Sequence, residues 1–252
     1  KIKNNLKIKE LNYKVEGILK KLYLKVDKSK RIKKILPDFS SKLSFENTKF
    51  ELKNSKEIQS LIIDGNVNFS NSFEKIKILG KLNKNNKKYN LNTSLTLNNS
   101  KIYISQLNYK KKESKKANIN FNLDYLKNKY FLINELLYTE DKSKVNLSKI
   151  KLNNKFEIIN FNSIQAKTYQ NKVKNNDFLI SKNNKITLIG KVFDAEPLIK
   201  SLYKKNKNKN FDKNFNSNVE ANIDKTIFGT NDDVFGLRIV ASIKKGSFKK
   251  LS

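Results

Sequence analysis

Few side chains in this 252-residue sequence could do chemistry. It has no Cys and no His, which excludes disulfides, thiolate sites, the commonest general base and the commonest metal ligand. Three acidic pairs remain. Asp232 and Asp233 adjoin, and paired carboxylates can hold a cation, but between strands they are ordinarily a solvated turn. Glu140 and Asp141 read the same way. Asp194 and Glu196 could serve as acid and base, yet a helix cap accounts for both more simply. There is no Gly-rich phosphate loop and no serine nucleophile elbow. An enzyme is not expected, and neither a cofactor nor a metal is implied.

Formal net charge is +31, nearly all from Lys, with Arg only at Arg31 and Arg238. Clustered cations suit phosphate, but base reading favours the bidentate fork of Arg. Specific nucleic acid is therefore not the expected partner, although a polyanion-binding basic protein remains an alternative. Lys, Asn, Ile, Phe and Tyr share A/T-rich codons, which explains much of the bias. The runs 110–112 and 115–116 read as a solvated hairpin tip, with an electrostatic docking site as the alternative.

The elements that would position any site alternate with period two. Residues 90–97 (NLNTSLTL), 117–125 (ANINFNLDY) and 234–243 (VFGLRIVASI) place apolar side chains on every second position. Such strands have one dry and one wet face. Ile2, Leu6 and Ile8, then Leu11, Tyr13 and Val15, read as an opening strand or pair, and residues 17–26 as a strand or a short helix, with strand favoured by the neighbouring pattern. Leu43, Phe45, Phe50 and Leu52 suggest a short hairpin, and Asp64-Gly65 a turn. Asn153-Asn154, Asn175-Asn176 and Asn183-Asn184 also suit turns, because Asn tolerates left-handed backbone angles. Most strands read as shorter than the roughly 9–11 residues a membrane barrel needs. No apolar run approaches the ~20 residues of a spanning helix.

The fold expected is mostly β: a long antiparallel meander curled into an elongated, taco-like groove, with one short amphipathic helix near 194–205. Residues 1–193 form the repetitive sheet region, and 194–252 a helix plus strands. In the helix, Asp194 caps, Pro197 sits in the first turn, and Leu198, Ile199 and Leu202 share a face that would plug or brace the sheet. The expected groove wall is Val67, Phe69, Ile76, Ile78, Leu91, Leu95, Leu97, Ile102, Ile104, Ile119, Phe121, Leu123, Ile186, Leu188, Leu237, Ile239 and Ile243.

The stretch GKVFDAEPLIKSLY from Gly190, followed by a polar linker and two strands, resembles the AsmA-like family of bacterial envelope proteins. Gly190, Phe193, Asp194, Ala195, Pro197 and Leu198 fill its strand-to-helix pattern. The resemblance covers roughly the last quarter of the chain. It implies a periplasmic protein of a Gram-negative bacterium, anchored in the inner membrane by a segment outside this chain. Its partners would be phospholipids and outer-membrane components, and its role would be to shelter acyl chains in an apolar groove during envelope assembly. Because the sequence starts at Lys1, a piece of a longer or processed protein is expected. The alternative is a structural or adhesive β-sandwich without a ligand.

Overall fold

Strands form where the alternation predicts them, and they run longer than the sequence suggests. The computed structural model describes residues 11–26, 32–70, 72–203, 211–229 and 233–251. The expected opening strand at Ile2–Ile8 and the acid Asp232 lie outside these residues. In chain order the strands are β1 (Tyr13–Lys25), β2 (Lys42–Asn54), β3 (Ile58–Asn68), β4 (Phe73–Asn83), β5 (Lys88–Leu97), β6 (Ile102–Ile104), β7 (Tyr109–Lys111), β8 (Ala117–Leu126), β9 (Tyr130–Glu140), β10 (Ser143–Leu152), β11 (Ile158–Asn160) and β12 (Ser163–Gln170). They continue with β13 (Val173–Lys182), β14 (Ile186–Asp194), β15 (Ser217–Ile227), β16 (Asp233–Lys244) and β17 (Ser247–Leu251). A helix, α1, spans Glu196–Tyr203, and a 3-10 turn spans Ser105–Leu107.

Fifteen of the strands make one sheet, ordered β1-β2-β3-β4-β5-β8-β9-β10-β12-β13-β14-β15-β16-β17, with β11 on β10; β6 and β7 pair separately. The sheet is mixed rather than a pure meander. The chain crosses over through α1, so β15 runs parallel to β14 while its other neighbours are antiparallel. Parallel neighbours need such a crossover. Among the described residues β1 and β17 each have one strand neighbour, and the sheet is not strongly curled.

Two turn expectations give way to bulges. Residues 42–54 are one strand, not a hairpin, because β2 absorbs an extra residue at Asn47 (φ 46°) beside Thr48. Gly65 lies inside β3 because it must face that bulge: a Cβ there would sit 2.6 Å from Thr48 Oγ1. Likewise Asn175 and Asn176 are not a turn. They are buried within β13, and the turn falls at Asn171-Lys172, whose φ values are 50° and 68°.

The dry face is not bare along its length. Phe39, from residues 32–41, and Ile102, Leu107 and Tyr109, from the excursion between β5 and β8, lie over Phe45, Val67, Phe69, Leu97, Ala117, Tyr138, Val145, Ala166 and Phe178. Burial of each large side chain contributes about 1.5–3 kcal/mol. A second core joins Ile150, Phe161, Ile186, Phe215 and Ile243.

Polar groups fasten this cover. Glu74, 1% exposed, accepts from the backbone N–H of Asn98 (2.7 Å), Asn99 (3.0 Å) and Ser100 (2.9 Å), and from Ser100 Oγ (2.7 Å). Lys111 is not a solvated tip residue. It is 1% exposed, and its ammonium donates to the carbonyls of Ser100 (2.7 Å) and Lys112 (3.1 Å). Asn175 and Asn176 donate to the Leu107 carbonyl at 2.9 and 2.8 Å, stapling the 3-10 turn to the sheet.

Candidate functional site

The cover stops short of one end of the strands. There the dry face stays open as a trough of about 440 Å³, in the range of small-molecule sites. Leu52, Leu61, Gly80, Leu82, Tyr89, Leu91, Leu123, Tyr125 and Phe131 line it. Cross-strand register explains why these residues meet. Leu52 faces Leu61, Leu61 faces Gly80, Gly80 faces Leu91, Leu91 faces Leu123, and Tyr125 faces Phe131. The trough crosses β2, β3, β4, β5, β8 and β9, a width of ~24 Å at about 4.8 Å per step.

One rim is a ladder of aromatic rings. Tyr89 stacks on Tyr125 (centroids 5.7 Å apart), Tyr125 on Phe131 (4.4 Å), and Phe131 on Phe156 (4.9 Å). Each offset pair contributes about 0.5–1.5 kcal/mol beyond area burial. Phe156 reaches this position through a left-handed backbone (φ 61°) in the turn after β10.

The wet face behind the trough carries a row of amides. Asn90 donates to Asp124 (2.9 Å), Asn92 to Asn90 (3.0 Å), Asn122 to Asn92, and Asn134 to Asn122 (2.6 Å). Burial pushes the Asp124 carboxyl up, but hydrogen bonds from Asn90 and Asn134 and the Lys88 ammonium together hold it below the ordinary range.

The expected wall residues fall in different places. Leu91 and Leu123 line the trough. Ile76, Leu95, Ile119 and Leu188 are half-buried against the covered core, and Ile78, Phe121, Leu237 and Ile239 are half-buried elsewhere on the sheet. Val67, Phe69, Leu97, Ile102, Ile186 and Ile243 are sealed, at 5% exposure or less, so they form core rather than an accessible wall. Ile102 and Ile104 belong to the cover, not to the large sheet. Leu52, Leu61, Leu82, Tyr89, Tyr125 and Phe131 are trough residues the sequence reading omitted. For Tyr89, Tyr125 and Phe131 the available signal is an aromatic residue recurring where neighbouring strands begin or end.

At the helix motif, Asp194 Oδ1 accepts from the Glu196 N–H at 3.2 Å, as a cap would. Its other oxygen accepts from Asn108 Nδ2 at 3.0 Å. Glu196 pairs with Lys200. Leu198 is 53% exposed and does not plug the sheet; Ala195, 4% exposed, is the buried residue there. Gly190 is required, since a Cβ would lie 2.7 Å from Phe178 Cβ, and Phe193 packs edge-on to Phe178 at 5.3 Å. Pro197 and Ile199 are half-buried, while the Leu202 side chain lies outside the description.

Of the other acids, Asp233 pairs with Lys225 at 2.6 Å. Glu140 is half-buried and accepts from Tyr109 and from Tyr138 (3.1 Å). Burial, and then neighbouring Asp141, push its carboxyl above the ordinary 4.5. A raised carboxyl stabilises the fold fully below its unfolded pKa, and that contribution is lost as pH rises through the folded pKa. Urea midpoints should therefore fall as pH climbs above about 4.5, and Glu140→Gln should flatten that fall. An unchanged slope in the variant would contradict the assignment. Among the described residues no three His, Cys, Asp or Glu side chains converge as a metal site, and no helix is long and apolar enough to cross a membrane.

No protein-family model, curated protein or solved structure matches the chain.

Proposed function

We propose that this chain is part of an AsmA-like periplasmic protein, anchored to the inner membrane outside these residues, that shelters phospholipid acyl chains on their way between envelope membranes. The observation that carries this reading is the open, almost wholly apolar trough on a face whose middle is covered. It runs across the strands, the direction in which a sheet lengthens as strands are added. An acyl chain laid along it leaves water at about 25 cal/mol per Å² of apolar surface. The cover confines the track to one end of the strands, so a sliding chain follows the aromatic ladder rather than the full sheet width. The mechanism is passive: no side chain forms or breaks a bond.

The sealed core of Val67, Leu97 and Ala117 favours a second reading, a structural β-protein with no ligand. The variant Leu91→Asp with Leu123→Asp separates the two. If the trough holds acyl chains, phospholipid extracted with the purified protein should fall at least tenfold, because a carboxylate in an apolar site costs several kcal/mol, while the far-ultraviolet spectrum stays β-rich. Unchanged lipid content in a folded variant would sink the conduit reading.

A further inference from the structure

At the opposite end of the strands three segments enclose a cleft of about 600 Å³. Its lining includes Lys110, Lys112 and Lys115 from the β7–β8 connection, Lys142 from the β9–β10 turn, and Lys172 from the β12–β13 turn. We propose that this cleft binds a phosphate-bearing anion.

The arrangement is built, not a chance crowding of a lysine-rich surface. The three segments are tied together. The Lys110 N–H donates to Gln170 Oε1 at 3.1 Å, and the Tyr169 N–H to Ser143 Oγ at 3.2 Å. Inward-facing Lys111 anchors the β7–β8 connection, and strand alternation then directs its neighbours outward. Lys172 occupies a left-handed position (φ 68°) where Gly or Asn would be cheaper, so turn formation does not explain the lysine. Among the described residues none of the five ammonium groups forms an ion pair, whereas Lys14, Lys53, Lys88, Lys101 and Lys185 do. Lys110 leans on the Tyr103 ring at 5.3 Å, leaving four lysines to face a ligand.

The cleft also holds Glu140 and Asp141. Glu140 is occupied by two tyrosine hydroxyls, and the lysines outnumber the acids, so the field remains cationic. Compact ammonium groups bind phosphate as point charges, and a cluster of them suits a ligand carrying several negative charges. The site is separate from the trough. Ten-residue strands place it ~30 Å away, farther than the ~20–22 Å thickness of one lipid leaflet. It therefore does not rest on the acyl-chain reading.

The phosphate could belong to a soluble polyphosphate or to an anionic lipid headgroup, and two probes distinguish them at physiological salt. Inorganic tripolyphosphate is titrated calorimetrically. Vesicles of phosphatidylglycerol in phosphatidylcholine are co-sedimented beside pure phosphatidylcholine vesicles. The cleft variant Lys112→Gln/Lys142→Gln/Lys172→Gln is compared with the charge-matched control Lys127→Gln/Lys191→Gln/Lys244→Gln. Binding of either probe should weaken roughly tenfold or more in the cleft variant and about twofold or less in the control. Tripolyphosphate binding identifies a soluble ligand class, and binding to anionic vesicles alone identifies headgroups. Equal loss in both variants, or no binding of either probe, would overturn the proposal. Trough-bound lipid, measured separately, should be unchanged in the cleft variant.

Discussion

Glu74→Ala should cost about 3–5 kcal/mol of stability and release the cover from the sheet. The carboxylate is 1% exposed and is the acceptor for three successive backbone N–H groups and one hydroxyl. Alanine leaves those donors buried without acceptors and removes the negative charge that favours the Lys111 ammonium against its desolvation. Burial already pulls the Lys111 pKa down, so the variant should ease its deprotonation. Two readouts follow: a lower urea midpoint, and tryptic cleavage near Lys110 and Lys112 well before the sheet unfolds. Glu74→Gln should fall between, since an amide keeps one acceptor oxygen but turns an NH₂ toward the other donors. A Glu74→Ala protein with wild-type midpoint and wild-type proteolysis would show that the cover is held by apolar contacts alone.

Gly65→Ala should cost about 2–3 kcal/mol by overpacking. The new methyl would meet Thr48 Oγ1 at 2.6 Å and Thr48 Cα at 2.7 Å, and the second of these is backbone. Thr48 cannot swing away cheaply. It is fully buried, and its hydroxyl donates to the Glu46 carbonyl at 3.0 Å. Gly80→Ala is the matched control. It lies in the next strand, but its methyl would have only ordinary contacts with Leu61, at 3.7 Å and beyond. It should be neutral or slightly stabilising, because alanine narrows the unfolded ensemble. Equal losses in the two variants would mean that strand propensity, not the β2 bulge, sets the requirement for glycine at 65.

Period-two alternation made the strands legible because it reports directly on a half-buried sheet. It could not say what each dry face would meet. Ile102 and Ile104 alternate as Leu91 and Leu95 do, yet they form a separate hairpin laid over the sheet. That difference arises from tertiary contacts made by Glu74 and Lys111, two charged residues whose composition points to the surface. The bulges were hidden for a related reason. Asp64-Gly65 and Asn175-Asn176 carry turn chemistry, but the first accommodates Thr48 and the second satisfies the buried Leu107 carbonyl. The crossover through α1 was visible as a helix signal, while the parallel pairing it produces depends on β15 returning beside β14. In the trough, Leu91 and Leu123 were legible from alternation. The ring ladder was not, because Tyr89, Tyr125, Phe131 and Phe156 come together only through cross-strand register and one left-handed turn.

The most direct test of the acyl-chain reading is native mass spectrometry of the purified chain, with lipid extraction from the same sample. The expected result is one or more phospholipid masses bound per chain, lost in the Leu91→Asp/Leu123→Asp variant. A clean, lipid-free mass under gentle ionisation, with no phospholipid in the extract, would contradict it and leave the open face as one wall of a structural β-protein.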